Sequence, residues 1–424
     1  MQFKTIFTTS ALAGIALAAN NSTLTTATPS VTKDCSFSDF TATNSAQVQQ
    51  VAACQTAVGD ITIYGDAFGS IELTGVEQIF GSLHVKNATQ AVTLNAPTLQ
   101  LVSGTLELNA NTILQNLNLA QLTTVGSLNF NALPALEQTG LTAGITSADS
   151  IVIADTGLTS LSGINVYELK TFDVNNNQDI DTIDSGLQSV TDSLSISYNA
   201  EKVDVILDQL TSANNVFLQS INSLSANNLT TVNGSLAVSS SSVDEVQFKG
   251  LTNIGKSLTI NKNDNLETLD FPKLTNIGGA LQISDNEHLR SFDGFPELKT
   301  IGGSVDINGT FDNGTFESLQ RVAGGFNLKS EGDVSCDEFK KLNSDGDIKG
   351  NKFVCSNADG ASSSSSSKKG SSDSTDSSDS SETGSSETTS TKAKSSSKDS
   401  GAASHTGKLG AIVAGFAIFG VALY

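Results

Sequence analysis

Three histidines are the only side chains here whose ordinary titration range lies near neutral pH: His84, His288 and His405. His84 sits between Leu83 and Val85, at an alternating position that points outward. His288 falls in the polar run Asp285-Asn286-Glu287-His288. Neither has a second His or a Cys at metal-ligand spacing. No Ser/His/Asp set or phosphate-binding glycine loop is present, so no metal and no cofactor are implied. Paired carboxylates are the remaining chemistry. Asp179 and Asp181 flank Ile180, with Asp184 nearby, and Asp264 and Asp285 lie in successive polar corners. Two acids on one face can hydrolyse a glycosidic bond. Acids in Asn/Asp-rich corners are better explained as solvated surface. A chain with no Trp and four Tyr also has few flat rings to line a sugar cleft. The chain therefore reads as non-enzymatic, with a glycan-processing β-helix enzyme as the rival.

These residues hang on a repeat. Lys256-Ser-Leu258-Thr-Ile260-Asn recurs as Ala280-Leu281-Gln-Ile283-Ser and as Ser304-Val305-Asp-Ile307-Asn. The series runs from Asp60-Ile61-Thr-Ile63 to Gly325-Phe326-Asn-Leu328, thirteen copies in steps of 20–24 residues. All 26 apolar positions are aliphatic or Phe, which chance does not produce. An apolar-x-apolar element has period two and is a strand with one buried face. One such strand per turn buries its face only if neighbouring turns stack on it. Leu266, Leu269, Leu274 and Ile277, then Leu289, Phe292, Leu298 and Ile301, predict two further short sides per turn. Glycines at Ile277-Gly278-Gly279 and Ile301-Gly302-Gly303 suggest tight bends. The expected fold is all-β: a right-handed parallel β-helix, a leucine-rich solenoid of about 13 turns, over 60–330.

The ends of a solenoid need covers. Cys35 and Cys54 precede the first turn, and Cys336 and Cys355 follow the last. At ~4.8 Å per turn the stack is about 60 Å long. A bond from end to end is impossible, because bonded Cα atoms lie within about 7 Å. The pairs Cys35–Cys54 and Cys336–Cys355 remain, and the fold has disulfide-capped ends. Residues 20–59 form one cap and 331–360 the other.

The chain ends read as targeting signals. Lys4, the apolar run from Ala11 and the small-x-small string Ala16-Leu17-Ala18 make 1–19 a secretory signal peptide. Leu409 to Tyr424 is an uncharged apolar tail, short for a membrane span. It follows the spacer Ser404–Lys408 and the small trio Gly401-Ala402-Ala403. That order is a GPI-attachment pattern with Gly401 as the attachment residue and 402–424 as the removed propeptide. Ser supplies 20 of the 40 residues from 361 to 400. No core can form there, so 361–401 is an unstructured stalk with O-glycosylation acceptors. Sequons at Asn87, Asn228, Asn233, Asn308 and Asn313 are N-glycosylation candidates; Asn20 and Asn21 lie against the new N-terminus. The formal charge of −21 becomes −23 without Lys4 and Lys408. Such a chain repels phosphates, which excludes nucleic acid as a partner.

Signal, solenoid, stalk and anchor signal occur in the order found in one known group. The phrases Leu251-Thr-Asn-Ile-Gly-Lys-Ser-Leu-Thr-Ile260, Phe271-Pro-Lys-Leu-Thr-Asn-Ile-Gly-Gly279 and Phe295-Pro-Glu-Leu-Lys-Thr-Ile-Gly-Gly303 carry the resemblance. The chain resembles the yeast family of GPI-anchored extracellular-mutant and sporulation-specific cell-wall glycoproteins, whose repeats are similar to the receptor L domain. The resemblance implies a place at the outer leaflet of the plasma membrane or in the cell wall, and a role in wall organisation and integrity. It supplies no catalytic residue. The implied partners are the membrane, through the lipid, and wall β-glucan or mannoproteins. A receptor-like module binding one glycan or protein on its strand face is the alternative function.

Overall fold

The computed structural model of the chain describes residues 27–358 and the backbone of 363–366. The segment expected to be a signal peptide, most of the Ser-rich stretch, Gly401, His405 and the apolar tail lie outside the described residues.

All thirteen apolar-x-apolar segments are strands of one parallel sheet, each paired with the next copy in sequence. Leu258 faces Leu281, Leu281 faces Val305, and Val305 faces Phe326. At the other end Ile61 faces Leu83 and Leu83 faces Leu106. This register puts like on like. A shift of one residue would turn every inward side chain out to solvent. All 26 inward residues are at most 1 % exposed.

Two shorter sides complete each turn. Pairs such as Asn253–Ile254, Asn276–Ile277, Thr300–Ile301 and Arg321–Val322 stack in parallel on the second side. The third side is broken into short stacks: Ser70–Glu72 with Thr93–Asn95 and Asn116–Asn118, then Thr182–Asp184 with Asp204–Ile206 and Ser223–Ser225, then Glu245–Gln247 with Thr268–Asp270. The markers Leu266, Leu269, Leu274 and Ile277 are all buried, as are Leu289, Phe292, Leu298 and Ile301. In the C-terminal turns an aromatic column fills the interior, with Phe248, Phe271 and Phe295 stacked at centroid distances of 5.5 and 4.9 Å.

The caps continue the repeat. Phe40 and Ala42 lie in register with Ile61 and Ile63, and Phe353 and Cys355 with Phe326 and Leu328. Helix α1 (Ser45–Ala52) buries Val48 and Val51, and Asn44 caps it by accepting from the Gln47 N–H at 3.1 Å. Helix α2 (Asp337–Ser344) buries Phe339. Cys35 is bonded to Cys54 and Cys336 to Cys355, with Cα atoms 5.7 and 5.9 Å apart. Beyond the last turn, Ser363–Ser366 pairs antiparallel with Lys352–Ser356. The composition of this stretch offers no core, but pairing with an open strand edge needs only backbone groups.

The glycine corners differ from expectation in their reason. Gly278 and Gly302 do not have positive φ. What they provide is room: a Cβ on Gly278 would lie 2.2 Å from the Gly255 carbonyl oxygen, and one on Gly302 2.1 Å from that of Gly278. The left-handed bend lies instead at the other end of the main strand. There ten successive turns, from Asn87 to Asp285, leave the sheet through a non-glycine residue with φ between +47° and +56°.

Candidate functional site

The bend sends the next side chain inward, and in many turns that side chain is polar. Asn111, Thr156, Asn177, Asn199, Ser241, Asn263 and Asn286 are buried there. Each amide bridges turns. Asn263 Oδ1 accepts from the Ser241 N–H at 3.1 Å, and its Nδ2 donates to the Val238 carbonyl at 3.1 Å. Asn286 Oδ1 accepts from the Asn263 N–H at 3.0 Å, and its Nδ2 donates to the Ile260 carbonyl at 3.0 Å. The N–H groups of Ser241 and Asn263, just past the bend, are thus satisfied inside the core. This ladder is architectural. The signal for it is an Asn three residues after the second apolar position of a copy, at 111, 177, 199, 263 and 286.

With the inward positions filled, chemistry is confined to the outward ones. On the main sheet His84 and Glu107 occupy the same place in successive turns. His84 Nδ1 lies 2.6 Å from Glu107 Oε2, and Lys86 Nζ lies 2.8 Å from the same oxygen. Asn109 Nδ2 donates to Glu107 Oε1 at 3.3 Å. Burial pushes the Glu107 carboxyl up, but the bonds from Lys86, His84 and Asn109 and the Lys86 charge outweigh it. They hold the group below the ordinary range. His84 points outward as its alternation requires. Its pairing with Glu107 was legible only by comparing positions 23 residues apart.

The carboxylates singled out in the sequence fall in two separate places. Asp179, Asp181 and Asp184 are exposed where the chain enters the third side. Asp264 and Asp285 are exposed and line a hollow of about 410 Å³ with Glu287, Lys262, Ser241 and Ser242. His288, also exposed, contacts the Asp264 carbonyl through Nδ1. An acid that must be protonated at working pH is usually buried. The carboxyl that partial burial raises here is a different one, Glu338 on α2. Burial raises it, the Phe316 N–H at 3.3 Å opposes this, and Glu317 and Asp293 add repulsion. Glu338 lies in the C-terminal cap. Among the described residues no group of three or more His, Cys, Asp or Glu is arranged to hold a metal.

Five sequon asparagines, Asn87, Asn228, Asn233, Asn308 and Asn313, are exposed. Asn87 occupies the left-handed bend itself, with φ +54°. The stretch between Asn87 and Asn228 contains no sequon. Within it lie two of the most exposed aromatic rings, Tyr198 and Phe217, 50 % and 44 % exposed. Gln219 Nε2 donates to the Tyr198 hydroxyl at 2.5 Å.

Sequence comparison places this geometry in a group. The chain is 40 % identical over 312 residues to the "cell surface GPI-anchored protein ECM33" of Candida albicans, covering 73 % of this chain and 75 % of that protein. It is 31 % identical over 311 residues to "protein ecm33" of Aspergillus fumigatus, covering 73 % and 78 %. The "cell wall mannoprotein PST1" of Saccharomyces cerevisiae is 34 % identical over 70 % of this chain and 66 % of its own length. The chain belongs to the ECM33 family. No protein-family model matches it, and no solved structure does. As a member of the ECM33 family it is a GPI-anchored cell-surface and cell-wall glycoprotein of fungal type. The family resemblance read from the phrases at 251–260, 271–279 and 295–303 is therefore upheld. In this ECM33-family chain those phrases supply the second-side corners and inward strand positions, including Gly278 and Gly302.

Proposed function

We propose that the chain is a non-catalytic organiser of the fungal cell wall, needed for wall integrity and held at the outer surface by a GPI lipid on Gly401. The observation that supports this best is the continuous parallel strand face. It presents side chains turn after turn in fixed register, which suits lateral contact with extended wall material rather than turnover in one cleft. The stalk of 361–401 spaces the solenoid from the lipid, and N-glycans at the five exposed sequons stand on its second, ninth and twelfth turns. Wall β-glucan and mannoproteins are the partners of this role. A second reading, a receptor-like module binding glycan or protein, is favoured by the exposed Phe217 and Tyr198.

A chain stopped after Ser400 tests the anchoring. It should be secreted as a folded, glycosylated, soluble protein and fail to restore wall-stress resistance to a deletion strain. Retention of that chain on cells, or mature full-length protein that keeps Leu409–Tyr424, would sink the proposal. Incubation of the purified protein with β-glucan, chitin and mannan tests the non-catalytic part. Turnover that disappears in Asp264→Asn, Asp285→Asn, Asp179→Asn or Asp181→Asn would make it an enzyme.

A further inference from the structure

Phe217 takes the outward position between inward Val216 and Leu218, in the middle of the main sheet. Ser195 lies beside it on one neighbouring strand and Ala237 on the other. Both are small, so the ring stands above its surroundings with its faces open. Gln219 shares that face two residues on, roughly 7 Å along the strand. It is flanked in the same way by Ser197 and Ser239. Tyr198 leaves the adjacent turn through the left-handed bend, at φ +52°, and its hydroxyl is held by Gln219. One amide thus has an aromatic ring on either side, in a field of serine hydroxyls.

Three features define what fits. The patch is uncharged within a chain of net charge −21, so neither an anion nor a polycation has a partner in it. Its apolar content is two separated rings, small for a protein-docking surface, which usually exposes several hundred Å² of contiguous apolar area. Its polar content is hydroxyl and amide groups that both donate and accept. A β-linked pyranose chain matches all three. Its equatorial hydroxyls point sideways and leave axial C–H bonds on both faces to lie against aromatic rings, while the hydroxyls meet Gln219 and the serines. No sequon falls between Asn87 and Asn228, so the turns on the Ser195 side of the patch carry none, whereas Asn233 precedes by four residues the Ala237 that flanks Phe217 on the other side.

We infer that Phe217, Tyr198 and Gln219 form a binding site for a neutral β-linked polysaccharide chain of the glucan or chitin type. The inference rests on the reading of the chain as a wall protein whose strand face meets glycan. It adds the residues and the ligand class.

The test uses full-length protein and three soluble probes: a β-1,3-gluco-oligosaccharide, a chito-oligosaccharide and an α-manno-oligosaccharide, titrated by calorimetry. The wild type should bind one of the β-linked probes. Phe217→Ala and Tyr198→Ala should each weaken that binding at least tenfold with unchanged Tm, and Phe217→Trp should keep it. Equal binding by wild type and both alanine variants would refute the site while leaving glycan recognition standing. Binding of no probe would refute glycan recognition as well. Preference for the α-mannan probe would overturn the ligand class. Self-association of the wild type that Phe217→Ala abolishes would assign the patch to a second copy of the chain and overturn the inference.

Discussion

Cys355 lies directly beside Leu328 across the last parallel pair of strands, in the inward position that an aliphatic or Phe side chain fills in each of the thirteen copies. Both residues are fully buried. The bond from Cys355 to Cys336 therefore fastens α2, and with it Phe339, to the end of the core. Phe339 stacks on Phe326 at a centroid distance of 4.9 Å. Replacing both cysteines by Ala should cost about 3 kcal/mol, from a closed loop with a sequence separation of 19. Hydrogen exchange should speed up at the Leu328 amide and stay slow at Ile260. Free thiols at all four cysteines in the secreted protein would defeat this account.

The ladder gives a second expectation. Asn263→Leu removes an acceptor from the Ser241 N–H and a donor from the Val238 carbonyl, both in buried surroundings. Leaving the Ser241 N–H unpaired costs about 1–3 kcal/mol, and the Val238 carbonyl, still in the strand ladder, loses a second donor. Urea unfolding should show a loss of roughly 3 kcal/mol. Leu133 and Ile221 occupy the corresponding place in other turns, so side-chain size is not the obstacle. A neutral Asn263→Leu would show that water reaches the bend.

How much of this was legible in the sequence follows from where each signal resides. The period-two pairs announced the strands because alternation within four residues fixes which side is buried, and the 20–24-residue step announced the turns. In the sequence the caps look separate from the repeat because their copies are disguised. Ala42 is small for a core position, and Cys355 reads as a disulfide partner before it reads as an apolar residue. The Tyr198–Gln219 contact beside Phe217 and the His84–Glu107 pair are hidden in the sequence for a different reason. Contacts between successive turns join residues about 22 positions apart, and a scan for local motifs does not set those positions side by side. The glycine corners are legible as positions, but the reason for glycine there is not. A backbone clash with the preceding turn is a property of the stack, invisible in one turn.

That clash can be measured. Gly278→Ala places a methyl group 2.2 Å from the Gly255 carbonyl oxygen, and the turns must part to admit it. Overpacking of this kind costs about 1–3 kcal/mol. Gly69→Ala is the control, because a Cβ there meets nothing within 4 Å and its φ is not positive. It should be neutral or slightly stabilising through the unfolded chain. Thermal melts of the two variants should separate clearly. Equal melting temperatures would mean that the corner is slack and that these glycines serve something other than close stacking.

Two carboxyls should give opposite pH dependences. Glu107 is held below its ordinary value of 4.5 by Lys86, His84 and Asn109 against the upward push of burial. Its folded form binds the proton less readily than its unfolded form, so it contributes stability above the ordinary carboxylate range. That contribution is lost as pH falls through the lowered folded pKa. Glu338 is raised from 4.5 by burial, helped by Glu317 and Asp293 and opposed by the Phe316 N–H. Here the folded form binds the proton more readily, so ionisation destabilises the fold as pH rises from 4.5 through the raised value. Glu107→Gln should therefore lower Tm at pH 7 and lose its effect in acid. Glu338→Gln should raise Tm at pH 7, with the gain shrinking as pH falls toward 4.5 and the native carboxyl protonates. The wild-type Glu338 reports on α2 and the Glu107 cluster on the third turn, far apart in sequence, so the double variant should show the sum of the two curves. A Glu338→Gln protein less stable than wild type at pH 7 would mean that the bond from the Phe316 N–H outweighs the burial of the charge.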